Sequence, residues 1–299
     1  MATLKNIFTV LVTVFVMYYC FCVKAYTYDY QYGFGPDETN SNTTLIEQGA
    51  KDKLSLDRKT TNVDAQYDIE MERLINDIEY EYGVQINYIY NKENFFPVSW
   101  IKPPISAYGE QVDIKEVKRT IPIIKEFLSA YPKEVIQKNL TDIYLLNDMI
   151  FYNTEGWGGT NGSSGVYMTV QGYYSEAYIL STLHKEFSSI LMRNYYDMFL
   201  EKEWLSINPP GFKYSGTGVE VLGEDNLLTL NEVLFTEGFL DKYAKSSLEN
   251  DFNEFAGELF TNRSHLYEIC QKYEKIRAKT QLVISFYLSI NNKFDFSVK

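Results

Sequence analysis

The residues best suited to chemistry in this chain are His184, Lys185 and Glu186, three ionisable side chains in a row. A glutamate can act as a general base toward water, and a neutral histidine can bind a metal ion. The trio lies at the start of the segment 183–195, whose apolar residues recur at the i, i+4, i+7 and i+8 positions of a helix with one buried face. Those residues are Leu183, Phe187, Ile190 and Leu191. The sequence therefore predicts a helix that holds the charged trio beside the protein core.

The spacing within this helix can be compared with the zinc-binding pattern His-Glu-x-x-His. In that pattern two histidines four residues apart bind one Zn²⁺, and the glutamate after the first histidine activates the metal-bound water. Glu186 matches the glutamate, but Lys185 stands at the first ligand position and Ser189 at the second. We therefore expect the helix to keep the general-base position and to lack both histidine ligands.

Residues 1–25 have the pattern of a secretory signal peptide. Lys5 precedes an apolar run over 7–23, and Val23 and Ala25 supply small side chains before a cleavage point. The run of about 17 residues is at the short limit for a membrane span, so an uncleaved signal anchor is the alternative. We expect a secreted or extracytoplasmic protein that contacts a membrane only if the signal is not cleaved.

The net charge of the chain limits the partners it can bind, and its cysteine count limits stabilisation by disulfide bonds. With 28 basic and 40 acidic residues the net charge is −12, and an acidic chain repels the phosphates of nucleic acids. Cleavage of the signal would leave Cys270 as the remaining cysteine of three, so we expect neither nucleic-acid binding nor a disulfide-stapled fold. Sequons for N-glycosylation, relevant in a eukaryotic host, lie at Asn42, Asn139, Asn161 and Asn262.

The remainder of the chain predicts one α+β domain at 64–292, behind a polar, flexible leader at 26–63 and before a tail at 293–299. Pro122 should kink or restart the helix that contains it, and a Gly-rich turn is predicted over 156–165. Hydrophobic periodicity predicts helices near 67–80, 114–132, 176–195, 231–244, 247–260, 264–271 and 273–290. Alternation predicts strands at 84–90, 141–152 and 166–170.

The order of four segments resembles the zinc-binding metallopeptidases of the gluzincin type. In chain order the segments are GWGGTNGSSGVYMTV, ILSTLHKEFSSILMRNY, NPPGFKY and EGFLDKYAKSSLENDFNEFAGELFTN, and the resemblance covers roughly residues 64–290. It implies a zincin-like single domain, with a small mixed β-sheet, an edge strand beside the active-site helix and a helical C-terminal half. The edge strand, which would pair with an extended peptide substrate, is implied to be Val166, Tyr167, Met168, Thr169 and Val170.

The resemblance also implies a third zinc ligand on a second helix, from a motif like EDFAE. The ligand position in the matching segment is occupied by Asn250. Lys185, Ser189 and Asn250 thus replace all three implied ligands with residues that zinc sites do not ordinarily use. We expect catalytic zinc to be absent, and the ammonium of Lys185, near Glu186 and Asp251, to take over its charge.

Two functions follow from these residues. The first is a zinc-free secreted protein of this fold that retains a cleft for a peptide or protein and has weak or no hydrolysis. The alternative is an active zinc peptidase with His184 and Glu254 as rearranged ligands and Glu186 as general base. An offset of one residue turns a helical side chain by about 100°, so His184 should not reach the metal position of residue 185. In either case Lys185 or Glu186 should lie within contact distance of the segment 249–254.

Overall fold

The computed structural model describes residues 69–155, 157–216 and 229–297. The predicted signal peptide 1–25 and leader 26–63 lie outside this part of the chain. The described residues form a mixed α+β fold with a small mixed sheet and a helical C-terminal half, as expected. Within these ranges no helix is both long enough and apolar enough to cross a membrane.

In the part of the chain that the structure describes, all strands precede residue 170, and the regular elements that follow are helical. The helices are α1 (Ile69–Tyr82), α2 (Val98–Ile101), α3 (Ile114–Ser129), α4 (Lys133–Asn139), α5 (Glu176–Asn194), α6 (Glu201–Ile207), α7 (Glu232–Glu237), α8 (Leu248–Thr261), α9 (Arg263–Lys272) and α10 (Glu274–Ile290). The strands are β1 (Gln85–Asn87), β2 (Tyr108–Glu110), β3 (Asp142–Leu146), β4 (Asp148–Ile150), β5 (Gly159–Asn161) and β6 (Gly165–Thr169). Short 3₁₀ turns cover Tyr196–Met198 and Tyr243–Lys245.

The main sheet has the strand order β1-β3-β6-β5, in which β1, β3 and β6 are parallel and β5 is antiparallel to β6. A separate antiparallel pair joins β2 to β4. One expectation is wrong: the edge of the sheet is not formed by Val166, Tyr167, Met168, Thr169 and Val170. Strand β6 pairs on both sides, with β3 and with β5, and all five of its residues are buried, which is typical of an interior strand. The edge strand beside it is β5, in the Gly-rich segment that was predicted as a turn.

Helix α5 crosses this sheet and packs on α3 and α8. Its N-terminus is capped by Ser175, whose hydroxyl accepts the backbone N–H of Tyr178 at 3.1 Å. The predicted buried face is confirmed, since none of its side chains is exposed to solvent: Leu183, Phe187, Ile190 and Leu191. The helix that carries the charged trio is therefore fixed by apolar burial on one face, which leaves the trio at the boundary with α8 and β5.

Two predicted helices can be compared with the structure at the residues expected to interrupt or end them. Helix α3 is continuous through Pro122, so the helix does not restart there. The proline removes one hydrogen bond, but the apolar face stays buried before and after it, for example at Val117 and Ile124. The helix predicted over 231–244 stops at α7 because Gly238 adopts a left-handed conformation, with φ of 96°. A glycine in that conformation is a common helix C-cap.

Candidate functional site

The candidate site lies where α5 and α8 pack side by side. Ser247 caps α8 by accepting the backbone N–H of Asn250 at 3.0 Å. Acidic residues at helical spacing usually mark a solvated face, but here α8 is enclosed and its acids are buried. Glu249 is 8% exposed, Asp251 is fully buried and Glu254 is 5% exposed. Each buried carboxyl group must therefore find a hydrogen-bond or charge partner inside the protein.

The first implied ligand position contains an ion pair between the two helices. The Nζ atom of Lys185 lies 2.5 Å from Oε2 of Glu254, which confirms the expected contact between residue 185 and the segment 249–254. Burial alone would lower the pKa of the Lys185 ammonium, but the neighbouring acids, Glu254 above all, outweigh the effect of burial and raise that pKa. Lys185 is thus a fixed positive charge at the centre of the site.

The second and third implied ligand positions have polar partners of their own. The Oγ atom of Ser189 accepts a hydrogen bond from Nδ2 of Asn253 at 2.7 Å. Asn250 donates from Nδ2 to Oγ of Ser246 at 2.8 Å. The polar contacts of α5 with α8 at the first two positions are therefore made by residues 253 and 254. Asn250 bonds to Ser246, which directly precedes its own helix.

Glu186, the expected general base, is covered by the edge strand. Its Oε2 atom accepts a hydrogen bond from Nδ2 of Asn161 at 2.8 Å, and Arg193 donates to Oδ1 of Asn161 at 2.7 Å. A Cβ atom added at Gly159 would lie 2.9 Å from Oε1 of Glu186, so the β5 backbone passes directly over the carboxyl group. Burial raises the pKa of Glu186 to about 7, against the opposing effect of the Asn161 hydrogen bond. Arg193 was missed from sequence, although its i+7 spacing from Glu186 places both on one helix face.

His184 lies among aromatic side chains. Its Nδ1 atom is 2.8 Å from the hydroxyl of Tyr131, and its ring stacks on Phe260 with centroids 4.7 Å apart. Burial lowers the pKa of His184 to about 3, so the ring is neutral. A zinc site with His184 and Glu254 as ligands would require the histidine to leave Tyr131 and the glutamate to leave Lys185.

The described residues do not fit a zinc ion. In the ranges 69–155, 157–216 and 229–297, no three His, Cys, Asp or Glu side chains converge in a way that could hold a metal. An ammonium at position 185 and a hydroxyl at position 189 also differ from the N, S and carboxylate donors that bind Zn²⁺. The positive charge that the structure does place at the first implied ligand position is the ammonium of Lys185.

Asp251, which was expected near Lys185, belongs instead to a second buried cluster, with Trp204, Tyr214 and Lys279. Its Oδ2 atom lies 2.6 Å from Nζ of Lys279, and neither side chain is exposed. Trp204 and Tyr214 donate hydrogen bonds to the same oxygen, at 3.0 and 2.7 Å. The ammonium of Lys279 also lies 4.1 Å from the ring centroid of Phe239. This second cluster joins α8 to α6 and α10 and is separate from the contacts between α5 and α8.

Comparison with known proteins gives little further information. No protein-family model and no curated protein matches the chain. Among solved structures, the chain is similar to a "putative zinc-binding metallo-peptidase" from Bacteroides caccae, with 14% sequence identity and a TM-score of 0.49. The match covers 79% of this chain and 90% of the other. A similarity at this level carries no information about the site or its chemistry.

Proposed function

We propose that this protein is a secreted, zinc-free peptide-binding protein in which the site of a peptidase-like framework has lost its hydrolytic chemistry. The observation that carries the proposal is the ion pair of Lys185 with Glu254 at the first implied ligand position. A buried ammonium repels a divalent cation and offers it no lone pair. Secretion rests on the predicted signal peptide at 1–25.

The surroundings of Glu186 also argue against hydrolysis. A carboxylate cannot generate hydroxide from ordinary water, whose pKa is about 15.7, whereas bound zinc brings it to about 7. Here the Glu186 carboxyl is hydrogen-bonded to Asn161 and lies under the backbone of Gly159. Glu186 therefore holds the edge strand to α5 through these contacts.

The edge strand β5 is the surface that would bind a peptide. Gly158 and Gly162 direct their backbone groups toward β6, as shown by the bonds from Thr169 N to Gly158 O (3.0 Å) and from Gly162 N to Gly165 O (2.8 Å). The alternation of a strand then turns the N–H and C=O groups of residues 159 and 161 toward the open edge. Such an edge accepts an extended peptide by backbone pairing.

Zinc content and peptide cleavage test the loss of chemistry. We expect far less than one zinc per chain by elemental analysis after dialysis, and no cleavage in a broad peptide library. Stoichiometric zinc, together with cleavage abolished by Glu186→Gln, would instead establish an active enzyme. His184 would then be the first ligand to test by substitution.

Binding by the edge strand has its own test. A peptide selected from a library by the immobilised full-length protein should bind without being cut. N-methylation of alternate backbone amides should abolish its binding in one register and leave it intact in the other, because only every second amide faces β5. Equal effects of both methylation patterns would exclude backbone pairing.

A variant with restored ligands tests the implied alignment. Lys185→His, Ser189→His and Asn250→Glu together supply two imidazoles and a carboxylate at the three implied positions. The triple variant should bind one zinc per chain, and the matched control Lys185→Met should bind none. If the triple variant folds and still ignores zinc, the alignment of these positions with zinc ligands is wrong.

A further inference from the structure

Residues 291–297, which follow α10 and belong to no helix or strand, form a strap that packs on earlier elements. Two phenylalanines anchor the strap, since Phe294 is 7% exposed and Phe296 is 8% exposed. The centroid of the Phe294 ring lies 5.2 Å from that of Tyr287 and 5.9 Å from that of Tyr131. The Phe296 ring lies 5.6 Å from Phe260. In an extended segment, residues i and i+2 point to the same side, so the Phe-x-Phe spacing lets one short segment bury both rings.

Side chains of α9 hold the backbone of the strap. Arg263 donates from Nη1 to the carbonyl oxygens of Asp295 and Ser297, at 3.0 Å each. The hydroxyl of Tyr267 donates to the carbonyl oxygen of Phe296 at 2.6 Å. The guanidinium carbon of Arg263 also lies 5.4 Å from the centroid of the Phe296 ring. Aromatic anchors in pockets, combined with hydrogen bonds to the backbone, are the means by which proteins bind extended peptides.

The strap keeps part of its shape through its own bonds. Oδ1 of Asp295 accepts both the backbone N–H and the hydroxyl of Ser297, at 2.9 and 2.6 Å. Oδ1 of Asn291 accepts the backbone N–H of Lys293 at 2.9 Å. A segment that is already shaped in this way loses less conformational entropy when it binds. The ion pair of Lys293 with Glu134 is largely exposed and adds little to the binding.

We propose that the surface under the strap is a binding site for an extended Phe-x-Phe segment, filled within one chain by its own residues 291–297 and able to take the same segment from a second copy. We call this surface the strap groove, and it is formed by Tyr131, Phe260, Arg263, Tyr267 and Tyr287. Tethering to α10 gives the chain's own strap an effective concentration of the order of millimolar. Exchange of an identical segment between copies is a low-cost route to a dimer. The inference needs neither peptide binding at β5 nor the absence of zinc.

A full-length variant with Phe294→Ala and Phe296→Ala tests whether the groove is a binding site. The variant removes the anchors of its own strap and keeps every side chain of the groove. A labelled peptide of residues 290–297 should bind to this variant at least about tenfold more tightly than to the wild type, in which the tethered strap competes. Fluorescence anisotropy measures the binding, and the same peptide with alanine at both phenylalanines should bind to neither protein.

Three results would overturn the site. They are a folded double variant that does not bind the peptide, equal peptide affinities of the double variant and the wild type, and a double variant that no longer folds. The last result would show that the strap is an inseparable part of the core. Adding Arg263→Met to the double variant should weaken peptide binding about tenfold, because two hydrogen bonds from a charged donor are lost. The exposed Arg73→Met should leave it unchanged, and equal effects of the two would contradict the assigned contacts.

Exchange between copies is tested by mixing two full-length variants that complement each other. The double variant offers a groove without a competing strap, and Arg263→Met with Tyr267→Phe offers an intact strap whose own groove is weakened. Native mass spectrometry should find a one-to-one complex in the mixture at tens of micromolar, and monomers in each variant alone. Two variants that stay monomeric when mixed, at a concentration where the free peptide binds, would overturn the exchange between copies.

Discussion

Replacement of Lys185 by methionine should destabilise the fold strongly. The substitution keeps the apolar stem of the side chain but leaves the carboxylate of Glu254, which is 5% exposed, without its cation. Removal of one partner from a buried ion pair costs about 3–5 kcal/mol. Because the Lys185 side chain is 20% exposed, water reaches part of the ion pair. We therefore expect a loss of stability at the lower end of this range, about 3 kcal/mol.

Urea denaturation at constant pH measures this loss of stability. Two further variants show whether the loss comes from the broken ion pair. Lys185→Met with Glu254→Gln should recover much of the stability, because the uncompensated carboxylate is then gone. Lys293→Met removes an ion pair with Glu134 whose side chains are 68% and 50% exposed, and should change little. If Lys185→Met is as harmless as Lys293→Met, the α5–α8 ion pair does not hold the site together.

Two further predictions follow from burial. Burial raises the pKa of Glu186 and Glu249 from 4.5 to about 7, so the free energy of unfolding should fall as pH rises through that window, by up to about 1.4 kcal/mol per pH unit and group. Urea titrations should show this fall in the wild type and a shallower fall in Glu249→Gln. A free energy of unfolding that rises over this pH range would contradict the buried position of both acids. In a eukaryotic secretory host, mass spectrometry of glycopeptides should find a glycan on the exposed Asn262. It should find none on Asn139, which is 2% exposed and donates to Val135 O at 2.8 Å; a glycan there would require a different local fold.

The elements that sequence predicted well are those whose pattern is local. Helix α5 was expected over 176–195 and spans Glu176–Asn194. Its apolar stripe lies within the helix, and its cap, Ser175, directly precedes the first helical residue. Strand β5 was missed because Gly159, Thr160 and Asn161 carry no alternation of apolar residues. Its strand conformation comes from pairing with β6, a contact that no local pattern contains. The edge was therefore assigned to the apolar strand that lies inside the sheet.

The partners of the acidic residues could not be predicted from spacing either. Sequence places Asp251 and Glu254 three residues apart on one helix, and such residues usually share a solvated face. In the structure α8 is enclosed, and each acid meets a lysine from a different helix: Lys279 of α10 and Lys185 of α5. A rotation of α8 by one residue would break both ion pairs, and breaking a buried ion pair costs about 3–5 kcal/mol. We infer that these two lysines fix the rotation of α8, and so determine which carboxyl groups line the site beside Glu186.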